Sequence, residues 1–596
     1  MSDSIHQLQV FYQNKIQDYT LAVHRLKNKI NAVAFFRAIF FVAWLYLLYQ
    51  YFTNNNQVIL LLSFLGLAGF LALISIHFNF KNKKQICQNK LWLAQNEWNV
   101  LDEKDNAFDD GNEFFMNTAY YADLDIFGKK SLFHLLNRTT TYLGKQVLFH
   151  QLSNPMLQKE KILLYQSAIK TYSTQYSIIE TWIATAMLYK NDETVHTNGI
   201  QQWITNFTSL TGRTYWNSIR YILPALSIVA FIYTLDTGNY AWLSICIVLN
   251  WLHVGIAGKY NGKAFATLGK QQEVLNTYSK LLDVFKNVSV NDAVVLQQLK
   301  EKANEGCKSI VRLSFIANLI HQRFNLLATT LLNSLLMYDV HCAVLLDNWH
   351  HNNKNKINAW LEAIGEIEYL NSMALFAYNH PAFVYPEIET EGFIITAANL
   401  GHPMISGKQL VKNSFQLQQS GVLLITGSNM SGKSTFLRTV GINILLAEIG
   451  APICATQFSF TPMYLFTCIR ISDSLQENTS YFMAELQKLA DIKTQLSTRH
   501  SALILIDEIL RGTNSCDKYE GSAQFILQLI QQPCIVLFAT HDLKLSSLEE
   551  MYPNNITNYC FESTIENNHL SFDYVLRKGI AQNKNATFLM KKMGII

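Results

Sequence analysis

Nine consecutive residues, Gly427, Ser428, Asn429, Met430, Ser431, Gly432, Lys433, Ser434 and Thr435, satisfy the G-x-x-x-x-G-K-[ST] spacing of a phosphate-binding loop. An apolar run, Val422 to Thr426, precedes them and reads as a buried strand. A helically periodic segment, Phe436 to Ile449, follows. Backbone N–H groups of such a loop, with the N-terminus of the helix behind it, can wrap the phosphates of a nucleoside triphosphate. Lys433 is then expected on the β- and γ-phosphates, and the Ser434 hydroxyl on Mg²⁺.

A second chemical signal follows the apolar run Ala502 to Ile506, which ends in Asp507-Glu508. A continuous apolar run fits a central parallel strand covered on both faces. Acids at the carboxyl end of such a strand face the ligand crevice. Asp507 is expected to hold Mg²⁺ and Glu508 to polarise the attacking water. A third such strand, Cys534 to Ala539, leads into Thr540-His541-Asp542. His541 at that edge is within reach of a γ-phosphate, although a lone histidine is more often a satisfied structural group.

These segments resemble the MutS family of ATPases, relatives of transporter-type ATPases. The loop Thr426 to Thr435 is similar to the family's TGPNMGGKST, Asp507 to Asp517 to its DEIGRGTSTxD, and Phe538-Ala539-Thr540-His541 to its FATH. Asp473 to Glu485 resembles the signature segment DDLxxGxSTFMxE, with Ser480 on the signature serine. Ser131-Leu132-Phe133, Asn137-Arg138-Thr139, Gly144-Lys145 and Pro155 resemble the start of the family's core domain. The resemblance runs over roughly residues 130–596 and is most specific in the ATPase part. It implies ATP and Mg²⁺ as cofactors and a homodimer with shared sites. In such a site Ser480 and Asp517 of one protomer would close the nucleotide pocket of the other. It also implies DNA binding in mismatch repair. Three departures stand out. Ser428 replaces the usual proline, Asn478 replaces the signature glycine, and neither a mismatch-reading module with its Phe-x-Glu wedge nor a long DNA clamp is recognisable.

The rest of the chain must position this chemistry. Four apolar stretches are unusual for a soluble ATPase. Ala32 to Phe52 carries only Arg37, and Val58 to Phe78 lacks Asp, Glu, Lys and Arg. Both reach the roughly 20 residues that cross a bilayer. Tyr221 to Leu235 and Tyr240 to Ala257 form a second, shorter pair. Lysine and arginine flank both pairs (Arg25, Lys27 and Lys29; Lys81, Lys83 and Lys84; Arg213 and Arg220; Lys259 and Lys263), and the connecting turns have none. The positive-inside rule then places both tips outside and the ATPase in the cytoplasm, on a multi-pass protein of an inner or plasma membrane. Buried core helices are the competing reading.

The expected fold is an α-helical core and lever domain plus a C-terminal α/β P-loop ATPase domain of the ABC type, with two transmembrane helical hairpins. Its expected parts are a cytoplasmic lead helix (1–30), hairpin 1 (31–79), a polar connector (80–129), a helical core and lever domain (130–380) interrupted by hairpin 2 (221–257), and the ATPase domain (381–596). Ile310 to Tyr338 and Ile357 to Phe376 are expected as long lever helices.

Composition narrows the partners. The net charge is +4, and residues 264–380 hold ten Lys+Arg against ten Asp+Glu. A DNA grip needs clustered cations, so the sequence lends DNA little support. The nine cysteines include no C-x-x-C pair, which points to reduced thiols and away from structural zinc. His350-His351 reads as a solvated turn. Met1 to Lys29 is polar and amphipathic, unlike a secretory signal. Two functions remain open: a membrane-anchored, DNA-binding ATPase of the mismatch-repair kind, and a membrane-tethered ATP switch acting on a protein partner. A transporter is disfavoured because the apolar segments are few.

Overall fold

The computed structural model describes residues 2–54, 56–114, 120–189, 203–204, 207, 209, 213–269, 271–323, 325–405, 407, 409–470, 481–499, 501–510, 514–566 and 569–582. The N-terminal part is mostly helical and the C-terminal part is a mixed α/β sheet domain.

Two long helices open the chain, α1 (Ser2–Asn54) and α2 (Gln57–Leu101), packed along each other as a hairpin. At 1.5 Å per residue α1 is about 80 Å long. The boundaries drawn at 30/31 and 79/80 therefore fall inside single helices. The polar connector is helical as far as Leu101, and its first half is part of the core: Asn89, Leu93, Ala94, Asn96 and Glu97 are buried. A change from apolar to polar side chains reports a change of surroundings, which a continuous helix can pass through.

The helical core continues with α3 (Leu132–Leu136), α4 (Tyr142–Ser153), α5 (Lys159–Ser173) and α6 (Tyr176–Ala186). The second hairpin is α7 (Arg213–Thr237) and α8 (Ala241–Leu268). After it come α9 (Gln272–Phe285), α10 (Val294–Gln322), α11 (Leu326–Leu336), α12 (Tyr338–Asn353) and α13 (Ile357–Asn379). The expected lever over Ile310 to Tyr338 is not one helix. It breaks after Gln322 and again at Met337, where a left-handed backbone (φ 51°) turns α12 by 83° from α11. His350 and His351 lie in α12 rather than in a solvated turn. His350 is buried against Trp203 and Phe207, and burial lowers its pKa.

Buried carboxylates organise this core. Glu368 on α13 accepts from the Thr140 and Thr141 hydroxyls at 2.6 and 2.8 Å and from the Trp182 indole at 3.3 Å. A Cβ on Gly144 would meet Glu368, which explains the glycine there. Glu97 on α2 pairs with Arg138 and accepts from Asn379 at 2.8 Å, and Asn379 accepts from the Tyr12 hydroxyl at 2.7 Å. Glu368 and Glu97 both have charged or hydroxyl donors, as burial of charge requires. The start of α1 and the end of α2 are thus tied to the end of α13.

The α/β domain has two sheets. The smaller contains β1 (Glu387–Ile388), β2 (Ile395–Leu400), β3 (Asn413–Leu417) and β5 (Gln457–Phe460), in the order β1-β5-β2-β3. The larger has the order β10-β9-β4-β8-β7-β6, with β4 (Gly421–Thr426), β6 (Tyr464–Cys468), β7 (Ala502–Asp507), β8 (Cys534–Thr540), β9 (Ile556–Glu566) and β10 (His569–Lys578). All neighbours are parallel except β9 and β10. Every residue of β4, β7 and β8 is buried, as their apolar runs require. Helices α14 (Lys433–Glu448), α15 (Tyr481–Leu496) and α16 (Ser515–Leu529) flank this sheet.

Candidate functional site

Strand order alone brings the chemistry together. β8 lies between β4 and β7, and all three run parallel. Their carboxyl ends therefore open on one edge, with Gly427 to Gly432 after β4, Asp507-Glu508 at the end of β7 and Thr540-His541 at the end of β8.

Gly432 caps α14 with φ 104°, a conformation that strains any residue with a Cβ, and its missing Cβ would touch Tyr574. Met430 stands exposed at the loop crest with φ 72°. The Lys433 ammonium donates to the carbonyls of Gly427 and Ser428 at 2.8 and 2.9 Å, which ties the loop into a ring. The Ser434 hydroxyl donates to the Asp507 carboxylate across the edge. An open cleft of about 1080 Å³ lies over these groups. It is lined by Asn429 to Phe436, Asp507 and Glu508 together with His402, Asn413, Phe572 and Tyr574.

Glu508 and Leu510 both adopt left-handed backbone (φ 60° and 59°), unusual for residues with side chains. Two hydrogen bonds hold this turn. The Glu508 N–H donates to Ala539 O at 2.9 Å, and the Leu510 N–H donates to the buried Glu485 carboxylate of α15 at 2.9 Å. The turn carries the Glu508 side chain out of the sheet and into the cleft wall. There its Oε1 meets His541 Nδ1 and, at 2.6 Å, Lys518 Nζ of α16.

Lys518 and the Glu485 tether were not found from sequence. Lys518 follows Asp517 in a helix whose exposed pattern resembles any solvated face, so only the folded contact singles it out. His402 was missed for the same reason. It lines the cleft, where burial, with Arg438 adding to it, lowers its pKa to about 4 and keeps the imidazole neutral. Asp517 lies at the N-terminus of α16, where the Asn514 side chain donates to it at 2.7 Å and caps its N–H at 2.9 Å. It is not among the residues that line the cleft. Ser480, with Asp473 to Thr479, and Arg511 to Thr513 lie outside the described residues.

A second constellation joins the helical region to this edge. Asp123 is fully buried and accepts from Thr467 Oγ1 at 2.6 Å, from the Ile469 and Arg470 N–H groups at 3.1 and 2.9 Å, and from Lys488 of α15 at 2.6 Å. Asp125 pairs with Arg438 of α14 at 3.2 Å and with Arg470 at 2.6 Å. One short segment ahead of the helical core thus contacts both α14, which follows the Gly427–Gly432 loop, and α15.

The comparisons with known proteins fall on this domain. Residues 423–594 match MutS domain V. MutS protein homolog 4 of Homo sapiens is 34% identical over 195 residues, 31% of this chain and 20% of that protein. The DNA mismatch repair protein MutS of Thermotoga petrophila is 30% identical over 243 residues, 39% of this chain and 29% of that protein. That of Chlorobium phaeovibrioides is 36% identical over 208 residues, 33% of this chain and 23% of that protein. The matched segments thus span under a third of the length of these curated relatives.

Proposed function

From the premise that this chain is a member of the MutS family through its C-terminal domain, we propose that it is a Mg²⁺-dependent ATPase. It works as a homodimer anchored by two membrane hairpins, and its nucleotide cycle opens and closes its helical arms. The observation that carries this reading is the convergence of Lys433, Ser434, Asp507, Glu508 and His541 on one carboxyl edge beneath an open cleft.

The site residues fit the groups they would hold. Asp507 and Ser434 offer hard oxygen ligands, suited to Mg²⁺. When bound, the ion supplies charge neutralisation on the phosphates. The loop N–H groups from Ser428 to Thr435 and Lys433 bind the phosphate chain, and Lys433 exchanges its two loop carbonyls for phosphate oxygens. Phe572 and Tyr574 offer apolar surface across the cleft to a base. Glu508 takes up the attacking water as general base, with Lys518 and His541 fixing one of its oxygens. Ser480 and Asp517 serve the partner's pocket, so an isolated protomer is nearly inactive.

The membrane reading rests on four helices that are long and apolar enough to cross a bilayer. The most apolar windows of α1 and α2 are 0% and 6% buried within the protein. Phe35, Val42, Tyr46, Leu61, Phe64 and Leu65 point outward, a surface far larger than soluble monomers expose. With flanking lysines and arginines inside, the ATPase domain is cytoplasmic.

DNA binding in repair comes from the relatives' names alone. The neutral composition of residues 264–380 and the outward apolar hairpins favour an ATP switch acting at a membrane on a protein partner. Turnover of the purified dimer with homoduplex, mismatched and branched DNA across a salt series tests both levels. Glu508→Gln is expected to keep ATP binding and slow turnover by about 10²-fold or more, the scale of a lost general base. Wild-type turnover in that variant would overturn the assignment of Glu508. Discrimination between mismatched and matched duplex is expected below about tenfold, or ~1.4 kcal/mol. A stronger preference with a steep salt slope would restore a repair function.

A further inference from the structure

We infer that α11, the short helix between the two arm helices α10 and α12, is itself embedded in the bilayer and contacts lipid acyl chains. This rests on the membrane placement of the second hairpin proposed above.

The argument begins at Asn250, midway along the apolar stretch Ala241–Tyr260 of α8. A polar amide at that point is costly in hydrocarbon unless protein satisfies it. Asn250 is fully buried, and its Nδ2 donates to Ser227 Oγ of α7 at 2.9 Å and to Ser334 O of α11 at 2.7 Å. The neighbouring Trp251 indole donates to Ser334 Oγ at 3.1 Å. Counted from Ala241 at 1.5 Å per residue, Asn250 lies about 14 Å deep, close to the middle of a ~30 Å hydrocarbon core. Ser334 is bonded to it and shares that depth.

The chemistry of α11 suits that place. Its sequence is LLATTLLNSLL, and it packs on both α7 and α8. Its hydroxyls are satisfied by the local backbone: the exposed Thr330 donates to Leu326 O at 2.8 Å, Ser334 to Thr330 O at 2.8 Å and Thr329 to Arg323 O at 2.9 Å. The outward face is leucine, with Leu326, Leu327 and Leu331 exposed by 80%, 81% and 68%. This face continues the outward apolar surface of α7 and α8, where Leu226, Val229, Val248 and Leu252 are also exposed. The charged groups lie beyond its ends, where Arg323 pairs with Asp339 at 2.8 Å, and the buried Asn333 accepts the Asp339 N–H at 2.8 Å. The non-helical link at Met337 is fully buried in protein, the condition under which a membrane tolerates a broken helix.

At about 16 Å, α11 is too short to span. It is a half-inserted segment that turns the second hairpin into a three-helix membrane unit. Since α10 and α12 both pack against each other and join the helical core, motion of the arms moves an element inside the bilayer.

Photocrosslinking of the full-length chain in phosphatidylethanolamine–phosphatidylglycerol nanodiscs tests this. Benzoylphenylalanine replaces Leu327 or Leu331, with Leu62 of α2 and the exposed Leu163 of α5 as references, and ATP turnover checks that each variant is folded. A mass shift of one phospholipid is expected at 327 and 331 at the level seen at 62, and none at 163. Lipid adducts at 62 with none at 327 and 331 would overturn this inference and leave the hairpin reading intact. Absence of adducts at 62 as well would overturn both. Chain-to-chain or peptide crosslinks at 327 and 331 in place of lipid would make the leucine face a protein interface and overturn it.

Discussion

The central strands of the α/β domain and the helices of the hairpins are built from the same residue types, and the fold treats them oppositely. β4, β7 and β8 are buried at every position, enclosed by neighbouring strands and by flanking helices. The apolar windows of α1 and α2 bury 0% and 6% of their residues, and those of α7 and α8 bury 28% and 17%. A parallel strand cannot satisfy its backbone alone, so its apolar run is matched by protein on all sides. A helix closes its own hydrogen bonds and can leave its apolar side chains to a non-aqueous solvent. The second hairpin lies between the extremes because α11 covers part of it and supplies the acceptor for Asn250.

The sharpest way to break this contrast is truncation on each side of it. Leu505→Ala, in the middle of β7, is expected to destabilise the α/β domain by about 2–5 kcal/mol, read as a lowered thermal midpoint. Leu62→Ala in α2, exposed by 45%, is expected to leave the midpoint of the protein in lipid nearly unchanged. An equal loss at both positions would mean that protein covers the first hairpin.

A smaller effect is expected within the site itself. Lys518→Met removes a charge-assisted grip on Glu508 and should lower kcat by about tenfold, the scale of one such hydrogen bond. ATP affinity should hold, and Lys518→Arg should recover most of the rate. Equal losses of affinity and rate would assign Lys518 to folding of α16 instead.

A further expected effect depends on pH. His402 is neutral when folded, with its pKa lowered to about 4 by burial and Arg438. The unfolded chain, near the ordinary value of about 6.5, takes up the proton first as pH falls. The stability His402 contributes is therefore complete above pH ~6.5 and lost toward pH ~4. Between pH 7 and 5 this amounts to about 2 kcal/mol at most. His402→Gln keeps an acceptor for the Met404 N–H and should flatten that part of the stability profile. An unchanged profile would locate the acid sensitivity elsewhere.

Local motifs were legible because their chemistry is written in consecutive residues. Gly427 to Thr435 must be a loop before a helix, and Asp507-Glu508 and His541 must end strands. The parallel sheet then leaves them one edge to share. The helical region was less legible. Its boundaries at 30/31 and 79/80 followed polarity, whereas α1 and α2 run through them. The lever over Ile310 to Tyr338 followed periodicity, which persists across the breaks before Leu326 and at Met337 because both neighbours are themselves helical.

By itself the sequence determined the loop from Gly427 to Gly432 between a strand and a helix, the acids and the histidine at strand ends, the C-terminal α/β class and the existence of apolar helices, since each depends on residue type at short spacing. Tertiary structure alone decided which distant groups meet. It set Lys518 on Glu508, Glu485 on the turn after β7, Asp123 between the helical region and α15, and α11 on Asn250. Such pairings join residues on different elements, from 10 to 365 positions apart, and leave no periodic trace. Only the packing of elements brings them within hydrogen-bonding distance.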